Sequence, residues 1–221
     1  MNKLLLSKKW IQVILIISLL SISFSSFNSS NNPPTGMTGA PSESNCTSCH
    51  AGSAISSGAA WDAINISGLP ANGYTPGTTY TLTLNGSSAA TAKNGFSLTA
   101  LSPTNAMAGS FTAGTGNSVQ IGSGRNYVNH TSAGTAQTSF TFNWTAPATG
   151  VGTVTLYAAF MGTNSSNGNS GDIVYLKSFT VLQGNLPTAV ITTSATTICL
   201  GDTLFLQGSG NNNPTSYSWQ F

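Results

Sequence analysis

The chain has 221 residues and only ten formal charges, six Lys or Arg against four Asp or Glu. So few charges exclude long solvated helices, a coiled coil and charge-driven nucleic-acid binding. Lys3, Lys8 and Lys9 precede an apolar run. Without them Lys93, Arg125 and Lys177 face Glu43, Asp62, Asp172 and Asp202, a net charge of 3 − 4 = −1, with no cluster of cations for phosphate.

The apolar run IQVILIISLLSISF (11–24) is shorter than the roughly 20 residues that span a bilayer. With the lysines ahead of it, it predicts a cleaved export signal over residues 1–27, with an uncleaved N-terminal anchor as the alternative. Either way the remainder works outside the cytoplasm. Residues 28–45 (NSSNNPPTGMTGAPSESN) have almost nothing to bury and read as an extended linker.

Cys46-Thr47-Ser48-Cys49-His50 carries the chemistry. Two cysteines at this spacing can form thioether bonds to the vinyl groups of a haem, and the adjacent His supplies the proximal imidazole. A Cys46–Cys49 disulfide would give His50 no reason to follow. A zinc site would have to recruit Cys199 or His130 to reach four ligands. The motif is expected on a short turn of helix entered from Ser44-Asn45 and broken by Gly52. Small neighbours would let a porphyrin approach, and Trp61, Ile64 and Ile66 are candidates to cover one haem edge.

From residue 74 the pattern has the two-residue period of strands. TYTLTL (79–84), SFTFNW (139–144) and TVTLYAAF (153–160) place apolar residues on one face, and shorter runs fall at 94–101, 108–112, 118–121, 126–130 and 173–182. Turn chemistry separates them, so about eight strands predict an all-β, antiparallel β-sandwich with a Thr, Ser and Asn surface.

For the second axial position of iron, His130 is the remaining imidazole, with Met107 and Met161 as alternatives; otherwise His130 is a hydrogen-bonded scaffold residue. GNSGD (168–172) has the look of a serine nucleophile loop without a spare imidazole, and its Asn and Asp oxygens suit Ca²⁺ less well than a hairpin turn. Four scattered acids make no glycosidase pair, and GSGRN (122–126) lacks the residues of a phosphate loop.

Residues 186–221 supply about three strands, too few for a sandwich, so the chain is expected to stop within a second domain, with Cys199 packing in a strand or pairing beyond the end. Gly201-Asp202-Thr203 and Ser218-Trp219-Gln220-Phe221 resemble the opening of PKD or immunoglobulin-like repeats. Residues 74–182 resemble the reelin-type (Reeler) β-sandwich through YTPGTTYTLTL, NGFSLTAL, AGSFT, NHTSAG, FTFNWTAP, GTVTLYAAF and GDIVYLKSF. With GAPSESNCTSCH (39–50) in front, the chain is similar to the haem-motif-bearing, choice-of-anchor type domains of exported Bacteroidota surface proteins. That resemblance implies a haem-bearing reelin-like domain over 46–185, a cell-surface or extracellular location, and membrane association only through a C-terminal anchor or type IX secretion sorting domain further along. An equivalent of His130 also occurs in reelin-type domains without a haem motif.

The expected function is a monohaem c-type cytochrome domain for single-electron transfer. Haem c is fixed by Cys46 and Cys49, His50 and His130 are axial, and a redox partner protein of unstated identity exchanges the electron. The alternative is an adhesive or structural surface module, binding a surface partner, in which haem is a stabiliser or sensor. Peroxidase-like chemistry at an open sixth position is the enzymatic reading. No nucleic-acid partner is expected.

Overall fold

In the computed structural model the described residues are 32–89, 91–164, 169–184, 189–193, 197, 199–201, 203 and 206–210. The expected export signal and the Ser218-Trp219-Gln220-Phe221 segment lie outside them. Among the described residues no helix is long and apolar enough to cross a membrane.

Alternating apolar and Thr residues give β2 (Thr79–Asn85) and β7 (Ser139–Thr145), which pair antiparallel from Thr79–Thr145 to Asn85–Ser139. β1 (Asn65–Ser67) and β4 (Ser110–Thr112) complete a four-stranded sheet in the order β1-β2-β7-β4. The second sheet holds β3 (Lys93–Leu101), β5 (Asn117–Gly122), β6 (Arg125–His130), β8 (Val154–Thr163) and β9 (Ile173–Val181), in the order β5-β6-β3-β8-β9. All pairings within both sheets are antiparallel, and the only α-helix among the described residues is the five-residue α1 (Ala59–Ala63). The all-β, antiparallel expectation therefore holds.

Between the sheets the alternating residues meet. Trp144 is fully buried, 5.6 Å from Tyr74 edge-on and 6.0 Å from Tyr80, and its Nε1–H donates to the Ala108 carbonyl at 3.0 Å. Phe96 and Phe140 sit 4.4 Å apart across the core. Satisfying the indole N–H lets the largest aromatic be buried without an orphaned donor.

The two sheets differ on their outer faces. On β7 buried and exposed residues alternate, whereas β3 is buried at every position from Asn94 to Leu101. Phe96, Leu98 and Ala100 belong to the inter-sheet core, so Gly95, Ser97, Thr99 and Leu101 lie on the opposite face. Buried Tyr127, Ala159, Met161 and Val174 likewise stand outside the main core cluster. A second layer must therefore cover the five-stranded sheet, and residues 32–55 supply it. Ser118 bonds Asn32 at 3.1 Å, and the backbone of Gly39 lies against the Leu176 side chain. Ile55 adds to the edge of β9 through Ile55 N–H to Val174 O at 2.7 Å and Leu176 N–H to Ile55 O at 3.0 Å.

Residues 32–45, expected as an extended linker, instead pack as a strap that turns back on itself, Thr38 bridging Asn45 and Glu43 N–H bonding Ala40 O at 2.9 Å. Their anchor is Glu43. Its Oε1 accepts from Arg125 Nη1 at 2.5 Å and from the Tyr127 hydroxyl at 2.8 Å, and Oε2 accepts from Thr38 Oγ1 at 2.5 Å.

Beyond Gly184 the described residues include one antiparallel pair, β10 (Ala189–Thr193) with β11 (Leu206–Gly210). Cys199, between these strands in sequence, is exposed, so of the two expectations for it packing within a strand does not hold.

Candidate functional site

The Cys46–His50 motif follows the strap directly. Cys46–Ser48 form one turn of 3₁₀-helix, and the Asn45 side chain caps it by accepting from Thr47 N–H at 2.9 Å. His50 N–H closes the turn on Cys46 O at 3.0 Å, and Ala51 N–H then bonds Asn169 O at 2.7 Å. The motif is therefore tied to the hairpin between β8 and β9.

The two thiols are not joined to one another. Cys49 is exposed, whereas Cys46 is half-buried with its thiol 3.9 Å from the Met37 carbonyl. Burial pushes the Cys46 thiol up to about 12, its own backbone N–H opposes this, and the neighbouring Cys49 adds to it. At neutral pH Cys46 is a protonated thiol rather than a thiolate ligand. Among the described residues no three His, Cys, Asp or Glu side chains converge as a metal-ion cluster.

His50 finds a partner that no local sequence signal announces. Its Nδ1 is 2.6 Å from Asp172 Oδ2, 122 residues away. The Asp172 side chain is 2% exposed, and its Oδ1 accepts the Asn164 N–H at 3.1 Å. From sequence Asp172 was one oxygen of a turn, because its neighbours Gly168 to Gly171 carry only turn chemistry.

His130 comes to the same end of the sheet. Gly95 stands near the start of β3, Gly162 near the end of β8 and Ile173 at the start of β9, and the register joins them through Gly95–Met161 and Gly162–Ile173. The His130 ring covers Gly95 so closely that an added Cβ there would stand 2.6 Å from Cε1. Its Nδ1 lies 3.1 Å from both N and O of Phe96. Burial holds the His130 imidazole below its ordinary value, the Phe96 backbone opposes that, and the charge His50 can carry lowers it further. Met161 is buried on the same face, paired with Gly95.

Other expected residues are placed elsewhere. Met107 bridges to Leu101, six residues along β3 from Gly95 and so about 20 Å away. Its sulfur accepts from Asn126 N–H at 3.4 Å and Thr99 Oγ1 at 3.9 Å. The structure does not bring Met107 to His50. Ile64, 1% exposed, lies in the inter-sheet core with Ile66 packed against that core, so both fill the sandwich instead of covering a haem edge. Trp61 donates to the Leu176 carbonyl at 2.5 Å and carries the Lys177 ammonium 4.4 Å above its ring.

The residues present fit a haem in their chemistry. The donor set is two separate thiols and an imidazole on one turn, with a second imidazole at the same end of the sheet. The neighbouring floor also holds two orphans: Ser97 Oγ and Asn129 Oδ1 are fully buried without a hydrogen-bond partner, and these residues face each other across β3 and β6. Each such group costs about 1–3 kcal/mol unless something answers it. Gly95, Ser97 and Ala159 keep that floor small.

The sequence matches the Reeler domain family over residues 40–166, more than half of the chain. The chain belongs to the Reeler domain family. Among solved structures it is similar to the human F-spondin reeler domain, with 24% identity over 54% of this chain and 86% of that one and a TM-score of 0.40. A second fragment of that domain gives 24% identity, 54% and 90% coverage and 0.39. The Reelin-N domain of F-spondin gives 25%, 55% and 85%, and 0.43. No curated protein matches the chain. The Reeler match begins at Ala40 and so takes in both the strap's Glu43 and the Cys46–His50 motif.

Proposed function

We propose that this Reeler chain is an exported surface module carrying one covalently attached c-type haem on the outer face of its five-stranded sheet. Family membership and the N-terminal leader pattern support the module, and the placement of Cys46-Thr47-Ser48-Cys49-His50 on a capped turn beside His130 supports the haem. Cys46 and Cys49 would hold the group, and His50 and His130 would be its nitrogen ligands; the chemistry supplied there would be one-electron exchange with a partner protein. The chain's own residues bring the two imidazoles to the same end of the five-stranded sheet and screen one thiol. Single-electron transfer is the narrower part of this reading.

Expression of the chain in an oxidising compartment that performs haem attachment tests it. A Soret band with a low-spin spectrum that becomes high-spin in His130→Ala is the expected result. A folded, colourless product overturns the haem reading, and an unchanged spectrum in His130→Ala returns that residue to the scaffold.

The four-stranded sheet favours a second reading, adhesion. Its outer face is a neutral ladder of cross-strand pairs, Thr79–Thr145 at 2.9 Å, Thr81–Asn143 at 2.9 Å and Thr83–Thr141 at 2.8 Å. Glycan or protein binding that persists in Cys46→Ala would assign adhesion to this sheet, independent of the motif.

A further inference from the structure

We infer that Asp172 is the positioning residue of His50, holding its imidazole as the Nδ1–H tautomer so that Nε2 presents its lone pair; for the loaded protein this rests on the haem reading above. Asp172 directly precedes β9, whose register with β8 begins at Gly162–Ile173, so its carboxylate is carried by the sheet. Asn164 N–H fixes Oδ1, which leaves Oδ2 aimed at His50. A carboxylate only 2% exposed needs a matching charge or donor. The cations are engaged elsewhere or open to solvent. Arg125 binds Glu43, Lys177 binds the Trp61 and Asp62 carbonyls at 2.8 Å, and Lys93 is exposed. Among the described residues His50 is the side chain that answers Asp172. The backbone that follows His50 is held as well, by Ala51 N–H on Asn169 O and by Ile55 on the edge of β9.

An imidazole that donates Nδ1–H to a carboxylate has a fixed tautomer and a more basic Nε2. Toward iron such a ligand favours the oxidised state and lowers the reduction potential. A carboxylate that merely closed the hairpin through Asn164 would have no such effect.

Two measurements on the full chain separate these roles. In the haem-free, ¹⁵N-labelled protein at neutral pH, His50 is expected as the Nδ1–H tautomer. Asp172→Asn keeps an oxygen for Asn164 N–H but turns an NH₂ toward Nδ1, and is expected to move His50 to Nε2–H. In the loaded protein the thioether bonds of Cys46 and Cys49 retain the group in that variant, so the potential stays measurable and is expected to shift upward, with loss of low-spin character. A wild-type Nε2–H tautomer, or a potential unmoved by Asp172→Asn, overturns the inference while leaving the haem reading intact. Absence of haem uptake together with the Nδ1–H tautomer overturns the haem reading and supports the positioning role.

Discussion

Glu43 shows how much one side chain can do within a stretch that has no periodicity. It joins Arg125, Tyr127 and Thr38, and its partner Arg125 also donates to the Pro41 carbonyl at 3.2 Å. Glu43→Ala leaves a largely buried guanidinium and a buried phenol without their acceptor and is expected to cost about 2–4 kcal/mol, read by urea denaturation. Tyr127 reports the same cluster through pH. Burial, then the hydrogen bond and charge of Glu43, push its hydroxyl up to about 12 from 10.0, against the pull of Arg125. Between these values the folded state keeps a proton that the unfolded state loses. Stability from this group is therefore complete below pH 10 and is lost as pH rises toward 12. Alkaline denaturation of Tyr127→Phe should lack that component of the slope, and an identical slope in both proteins would contradict this assignment.

Among the elements, β3 decides where the site lies. Its inner face belongs to the core and its outer face to the strap, and Gly95 is the place where a side chain would strike the His130 ring. Gly95→Ala is expected to displace His130 and to destabilise by about 1–3 kcal/mol, visible as a lower thermal midpoint and a shifted His130 ring resonance. The strands themselves were legible, since the alternation in TYTLTL and SFTFNW reappears as β2 and β7. The Cys46–His50 spacing was legible for the same reason, being local. The strap was not, because Pro, Gly and Ser give no period and its attachment runs through Glu43–Arg125, 82 residues apart. Asp172 was hidden more deeply, by the 122 residues that separate it from His50. Ile64 and Ile66 were misplaced because an apolar residue near a motif looks the same whether it covers a ligand or enters a core.

At the scale of the whole molecule, scarcity of charge now has a structural counterpart. One outer face is a ladder of Thr and Asn pairs open to solvent, and the other is covered by the chain's own N-terminal layer, so neither needs many charges to remain hydrated or hidden. The core between them rests on Trp144, and Trp144→Ala is expected to cost about 3–5 kcal/mol in chemical denaturation. Among the described residues the His50–Asp172 hydrogen bond and the Arg125–Glu43 ion pair both fasten the N-terminal layer to the five-stranded sheet. Charge is spent where the motif is attached.

Covalent attachment of a haem at Cys46 and Cys49, beside the Reeler β-sandwich, is what we propose. Intact mass spectrometry of the denatured chain, after export with a haem-attachment system, tests it most directly. One haem per chain that survives denaturation in the wild type and is absent from the Cys46→Ser/Cys49→Ser double variant is the predicted result; a wild-type chain at its unmodified mass, despite native folding and active attachment machinery, would contradict it.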